Sequence, residues 1–282
     1  MEINKLSQKS IPERLQRIAS PPKQLFVSGQ LDELLALPMV GIVGSRKVSP
    51  YGRSVTTRLA GELAGQGIVI VSGLAFGVDS IAHQAALDAG GRTIAVLPSP
   101  LETIYPASHR QLAANILKQG GALISEYPAG TESFRGNFVA RNRIISGLSN
   151  ALLVTEAAEK SGSLHTARFA LEQGKDVLAV PGNINSPTSV GTNNLLRAGA
   201  GVATCADDIL YALKLSPEQL KPVKAASEPE QIILDLIAAG TADGDKLAQD
   251  SQLEIALFNQ TLTMLEITGK IRPLGANQWA LS

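Results

Sequence analysis

The sequence predicts an α/β fold, a doubly wound and mostly parallel sheet, on three observations: short runs of Val, Ile, Leu and Ala, helical segments between them, and glycines at the junctions. Residues 1–38 read as an N-terminal extension. The runs then fall at residues 39–43, 68–71, 93–97, 122–125, 151–155, 177–180 and 202–204. Each is apolar without alternation, the pattern of a strand buried on both faces. Helical periodicity occupies residues 54–64, 80–89, 107–118, 143–148 and 164–173. Gly67, Gly90, Gly120 and Gly174 stand where a left-handed residue would end a helix ahead of the next strand. These elements bound a Rossmann-like domain at residues 39–215. Residues 216–229 hold three prolines and no apolar periodicity, which reads as a linker. Residues 230–282 then supply helices at 231–239, 245–249 and 253–268, and two short strands about Gly275-Ala276-Asn277. Three helices and a hairpin make a small C-terminal winged-helix domain.

A chain of 282 residues is long enough for one large domain and one small one. Twenty-five Lys and Arg balance 25 Asp and Glu, so binding to a polyanion requires a local patch. The single cysteine, Cys205, excludes an internal disulfide framework, and His83, His109 and His165 lack the spacing of a zinc site. A cytoplasmic location fits this usage. The first residues lack the apolar core of a signal sequence, and no stretch suits a lipid bilayer. Nucleotide-enzyme motifs are missing as well. Gly174-Lys175 runs into Asp176 and Gly269-Lys270 into Ile271, so there is no P-loop, and no GxGxxG follows the first apolar run. GxSxG is absent. No cofactor and no metal are expected.

After the run at 39–43 comes Gly44-Ser45-Arg46-Lys47, a Gly/Ser turn with two cations that leads into a helix. Backbone N–H groups and Arg46 could hold a phosphate there, although glycine in such a turn also serves tight packing. A second loop, residues 72–79, places Asp79 as the N-cap of a helix that carries His83, a structural pair rather than an acid and a base. Charge position is informative. From Leu34 to Gly61 there are four cations and no carboxylate, and from Ser133 to Thr155 there are Arg135, Arg141 and Arg143 and again none. Both stretches lie on connections that converge on one sheet edge, which makes a phosphate track with Phe138 as the ring for base stacking. Arginines on a solvated helix face are the alternative. Ser161-Gly162-Ser163 opens another helix and can cap it or bond a phosphate.

The stretches VGSRKVSPYG, SGLAFGVDSIAH, ISEYPAG, NFVARNRIISGLS, EAAEKSGSLHTARFALEQGKDVLAVPGN and VGTNNLL, in this order, resemble the DprA/Smf DNA-processing proteins over residues 15–213. The resemblance implies a Rossmann-like domain that binds single-stranded DNA, protects it and helps load a RecA-type recombinase during natural transformation, without catalysis. Carried over by motif, Gly44, Ser45, Arg46, Phe138, Arg141, Asn142, Arg143, Ser161, Gly162 and Ser163 line the strand-binding pocket, with Lys175 near its rim. The sequence departs from the family in three places: about 40 residues precede the first apolar run where the family often has a helical domain, Leu97-Pro98-Ser99-Pro100 replaces a Gly-rich turn, and Val139 stands where proline is common.

The competing reading is a nucleotide phosphoribohydrolase of the lysine-decarboxylase-like Rossmann family. Its PGGxGTxxE motif is echoed by Pro181-Gly182 and Gly191-Thr192, but Leu195 occupies the position of the glutamate. Leu195, Leu196, Ile209, Leu210 and Leu213 predict a homodimer through the end of the Rossmann-like core. The helix at 253–268 has Glu254 and Glu266 and no Lys or Arg, which suits a partner protein or packing and not duplex DNA.

Overall fold

All seven apolar runs become parallel strands in the computed structural model of the chain, which describes residues 2–132, 134–215, 227–268 and 270–281. Two compact units divide at Lys221/Pro222. In the first, β1 (Asn4–Ser7), α1 (Glu13–Gln16), β2 (Gln24–Gly29) and α2 (Leu31–Leu35) precede β3 (Met39–Val43). There follow α3 (Pro50–Gly65), β4 (Val69–Ser72), α4 (Val78–Asp88), β5 (Thr93–Leu97), α5 (Arg110–Lys118) and β6 (Ala122–Ser125). The remainder is α6 (Arg135–Leu148), β7 (Ala151–Val154), α7 (Ser163–Glu172), β8 (Asp176–Ala179), α8 (Val190–Arg197), β9 (Gly201–Val202) and α9 (Ala206–Leu213). The sheet order is β1-β2-β6-β5-β4-β3-β7-β8-β9.

Residues 1–38 are therefore not an appendage: β2 pairs antiparallel with β6, Phe26 opposite Ser125, and β1 pairs antiparallel with β2. In β2 Leu25 and Val27 are buried while Gln24 and Phe26 are half-buried, an alternation unlike the fully buried runs further on. From β3 the chain winds outward through β4, β5 and β6, then returns to place β7 on the other side of β3. The carboxyl ends of β3 and β7 thus form a topological switch point, the place where open α/β sheets bind ligands.

The helix starts differ from expectation at the position that bears most on function. Periodicity predicts a helix over 143–148, whereas α6 begins at Arg135, two turns earlier. Arg-Gly-Asn-Phe-Val-Ala-Arg-Asn presents no apolar stripe, so helical periodicity is invisible there.

In the second unit α10 (Glu228–Ala238), α11 (Gly244–Ser251) and α12 (Ile255–Ile267) precede a hairpin of β10 (Ile271–Gly275) and β11 (Gln278–Leu281). Ile233, Leu234, Leu247, Phe258, Leu265 and Ile271 form its core. Ala276 and Asn277 both have positive φ, at 48° and 59°, as a two-residue turn of right-handed strand twist requires. Of the segment read as a linker, residues 216–226 lie outside the described residues. Its end is helix: Ser227 caps α10 by accepting from the Glu230 N–H at 3.4 Å, and Pro229 sits in the first turn. Among the described residues no helix is long and apolar enough to cross a membrane.

Candidate nucleic-acid interface

The loop after β3 is stitched to both neighbours by its backbone. Ser45 N–H donates to the Glu156 carbonyl at 2.8 Å, and Val78 N–H donates to the Ser45 carbonyl at 3.1 Å. A Cβ added at Gly44 would lie 2.6 Å from Val78 Cγ2 and 2.7 Å from the Glu156 carbonyl, so only glycine permits this approach. Ser45 Oγ accepts from the Lys47 N–H at 3.1 Å. These bonds consume the backbone and leave Arg46 and Lys47 exposed. Arg46 places its guanidinium 5.1 Å from the centre of the Phe138 ring, and among the described residues no carboxylate pairs with it. Phe138, half-buried on the second turn of α6, meets Tyr105 edge-on at 5.4 Å.

Two helix N-termini open beside this couple. Phe134 precedes α6 and Gly162 precedes α7, and neither gives its helix a side-chain cap. Asn142, two turns into α6, donates from Nδ2 to the Gly162 carbonyl at 3.4 Å and ties the middle of α6 to the start of α7. Ser161 Oγ accepts from the Ser163 N–H at 3.4 Å and lies 2.8 Å from Ser163 Oγ, so the hydroxyls brace the turn, while nothing approaches within 4 Å of the place where a Gly162 Cβ would stand. The Ser163, Leu164 and His165 N–H groups already donate within the turn, so what favours an anion there is the positive end of α7 and the open space at Gly162.

Three of the expected contact residues are held elsewhere. Arg141 is 3% exposed; its Nη1 donates to the carbonyls of Gly73 and Val96, and its Nε to Asn142 Oδ1 at 3.2 Å. It is a strut beneath the loop after β4 and does not reach a strand in solvent. Arg143 makes a two-pronged ion pair with Glu126, both distances 2.7 Å, on side chains only 12% and 16% exposed. The stretch that is acid-free in sequence is not acid-free in space, because β6 brings Glu126 to it. Lys175 directly precedes β8 and so lies at the amino edge of the sheet, roughly 13 Å of strand from the crevice at about 3.3 Å per residue. Burial there, with Arg14 nearby, lowers its pKa.

Asp79 is not the cap of α4. Gly77, at φ 80°, takes that position, and the Asp79 carboxylate turns back to accept from the Gly73 N–H at 3.1 Å and from Ala75. Burial pushes its pKa up against the pull of Arg141 and these donors. Burial also lowers the Arg141 pKa to about 10, with Asp79 opposing. Both groups serve the loop. His83 is fully buried with Nδ1 2.6 Å from Thr93 Oγ1, whose hydroxyl donates to the Ile70 carbonyl at 2.6 Å. The ring therefore donates from Nδ1, and its Nε2 has no partner among the described residues.

Burial, then the charges of Arg141 and His109, drop the His83 pKa to about 3. The unfolded chain takes that proton near pH 6.5 and the folded chain does not, so this contribution to stability is full above pH 6.5 and is lost as pH falls. His83→Leu is expected to lessen the loss between pH 7 and pH 5 by about 2 kcal/mol in urea titrations. Equal losses in both proteins would mean that His83 titrates normally.

Sequence reasoning missed the exposed rings on the neighbouring loops: Phe76 is 49%, Tyr105 47% and Phe134 61% exposed. Their signal was an aromatic in the connection between a strand and the next helix of a chain with 4% aromatic residues. It missed Glu156 as well, 1% exposed at the switch point, which accepts from the Ser49 N–H at 3.0 Å and from the Ser49 hydroxyl while Ser49 caps α3. Beside it, Ser49, Tyr51, Pro181 and Asn183 line a cleft of about 440 Å³.

Residues 2–214 match the family described as DNA recombination-mediator protein A, and residues 215–277 match the DprA winged helix domain. The chain is 45% identical to Protein Smf of Escherichia coli over 78% of this chain and 59% of that protein. It is 43% identical to DNA processing protein DprA of Bacillus subtilis over 74% of this chain and 70% of that one. It thus spans little more than half the length of the first relative. Among solved structures, DNA processing protein A from Streptococcus pneumoniae superposes with a TM-score of 0.70 at 40% identity over 74% of each chain. That from Helicobacter pylori, described for its single-stranded DNA binding mode, gives 0.68 at 36% identity over 76% of this chain and 96% of that one. With a parallel sheet whose switch point carries the Gly44-Ser45-Arg46 turn, and a winged helix after it, the chain belongs to the DprA/Smf family of DNA recombination-mediator proteins.

Proposed function

We propose that this protein binds single-stranded DNA without reading its sequence, protects it, and delivers it to a RecA-type recombinase in natural transformation, from the cytoplasm and as a homodimer. The observation that carries the reading is the Arg46–Phe138 couple at the switch point, a cation for phosphate and a ring for a base, on a helix that starts without a side-chain cap. The H. pylori relative's single-stranded DNA binding supports the ligand, and the family's description as recombination mediators supports a recombinase as recipient. Gly44, Ser45, Arg46, Phe138, Asn142 and the 161–163 turn form the contact surface in this proposal. Arg141 and Arg143 shape it from behind.

Phosphate grip predicts salt-dependent affinity that favours a flexible single strand over a duplex of equal length, read by fluorescence anisotropy across a salt series. Equal affinity for both, or none for either, overturns it. Hydrolysis is not part of the proposal: Leu195 packs against the core at the position where a phosphoribohydrolase needs its carboxylate.

Of the residues expected at the homodimer, Ile209 is fully buried and Leu210 and Leu213 pack inward, whereas Leu195 touches the core and also lines an outer cleft and Leu196 is half-buried. Leu171, Val202 and Tyr211, 59%, 54% and 87% exposed, surround a cleft of about 960 Å³ beside the edge strand β9 and are the surface proposed for pairing.

The winged helix is assigned to a protein partner. Helix α12 has no cation and exposes Leu257, Met264 and Ile267, while Lys270 is paired with Glu230. Removal of the chain from Pro222 onward is expected to leave single-strand affinity and its salt slope unchanged. A slope lower by about two phosphate equivalents would place DNA on the wing.

A further inference from the structure

The rings beyond the Arg46–Phe138 couple are fixed in place. Phe76 stands edge-on to His109 at 5.1 Å, and His109 Nδ1 lies 2.8 Å from the Leu74 carbonyl. Leu74 is fully buried at φ 56°, a left-handed conformation that costs a branched side chain energy and turns the next residues outward. Gly77 then brings this loop against Arg46: a Cβ there would lie 2.9 Å from the Arg46 Cα. Tyr105, from the connection after β5, meets Phe138. Along the carboxyl edge of strands about 4.8 Å apart, the order β3-β4-β5 sets the loop of Arg46 first, that of Phe76 next and that of Tyr105 and His109 last, with Phe138 touching both Arg46 and Tyr105.

Charge changes along that row. The loop of Arg46 and Lys47 carries no carboxylate, whereas the segment after β5 exposes one acid, Glu102, against one base, Arg110. A stretch of balanced charge has no grip on phosphate. Half-exposed rings held by edge contacts do suit the faces of unpaired bases, and stacking tolerates any sequence.

We propose that Phe76 and Tyr105 extend the pocket as a base-stacking row: the strand is held by a phosphate at Arg46, and its neighbouring bases lie on these rings with their phosphates turned to solvent. The proposal rests on the reading of the crevice as a single-strand site, and it adds that affinity gained along the row is independent of salt.

The test uses the full chain and oligothymidylates of two lengths, about four nucleotides and about three times that, in anisotropy titrations across a salt series. The longer strand is expected to bind more tightly with the same salt slope. Phe76→Ala with Tyr105→Ala should weaken the longer strand about tenfold per ring and the shorter one less than about twofold. Phe76→Trp with Tyr105→Trp should restore it, and abasic sites in the longer strand should reproduce the loss with wild-type protein. A salt slope that rises with length, or alanine variants that bind the longer strand normally, overturns the row. Alanine variants that melt early and lose both strands alike make the rings structural and overturn it too. Failure of both lengths to bind wild-type protein instead overturns the single-strand reading itself.

Discussion

Arg46→Glu is expected to weaken single-strand binding by at least about a hundredfold and to leave the melting temperature unchanged. The loop does not depend on this side chain, because its shape is set by Ser45 N–H on the Glu156 carbonyl and Val78 N–H on the Ser45 carbonyl. The ring contact to Phe138 is worth about 0.5–1 kcal/mol, and the guanidinium also acts at longer range on the buried Asp79 and Arg141 without a direct ion pair. A hydrogen bond to a charged group contributes about 1.5–3 kcal/mol, and a carboxylate in its place adds repulsion to every nearby phosphate. The salt slope should fall by about one phosphate equivalent as well. Arg46→Lys should fall between, since a point charge replaces a fork that can bond two oxygens. Unchanged affinity of the glutamate variant at physiological salt would remove Arg46 from the site.

What the sequence makes legible follows burial. The strands β3 to β8 are sealed on both faces, so their apolar runs stand out against any background. Strands β1 and β2 pair antiparallel at the sheet edge, where Gln24 and Phe26 are only half-buried, and their weak alternation gives residues 1–38 no clear strand signal. The first two turns of α6 carry Arg, Gly and Asn where an apolar stripe would stand, so periodicity has nothing to show there.

Charge was legible only along the chain. Arg46 lies in an acid-free stretch and remains unpaired by any carboxylate among the described residues, so there the linear pattern and the spatial one agree. Arg143 lies in another acid-free stretch and is matched by Glu126 from β6's far end, and Arg141 is drawn beneath Gly73 near Asp79. A single sequence carries no record of which strand ends meet, so cations that grip a ligand and cations that brace the fold look alike until the sheet order is known.

Arg141→Ala is expected to destabilise the first unit by about 3–5 kcal/mol, because it strips a buried polar assembly of its central donor. The guanidinium donates to two carbonyls from different strand ends, Gly73 after β4 and Val96 within β5, and to Asn142, which in turn holds Gly162 at the start of α7. Without it both buried carbonyls lose this donor, and Asp79, 6% exposed, loses the positive charge that opposes its desolvation. Space offers no relief: a Cβ at Gly73 would already strike the guanidinium, so loop and arginine are fitted to each other. At about 2–4 °C per kcal/mol for a domain of this size, the melting temperature should drop by roughly 10 °C. Arg141→Lys separates the two roles this residue could have. A lysine preserves the charge that a phosphate contact needs but cannot span both carbonyls, so a strut predicts melting nearly as early as in the alanine variant. A lysine variant that melts like the wild type, or an alanine variant within about 2 °C of it, would show that Arg141 does not hold the loop in place.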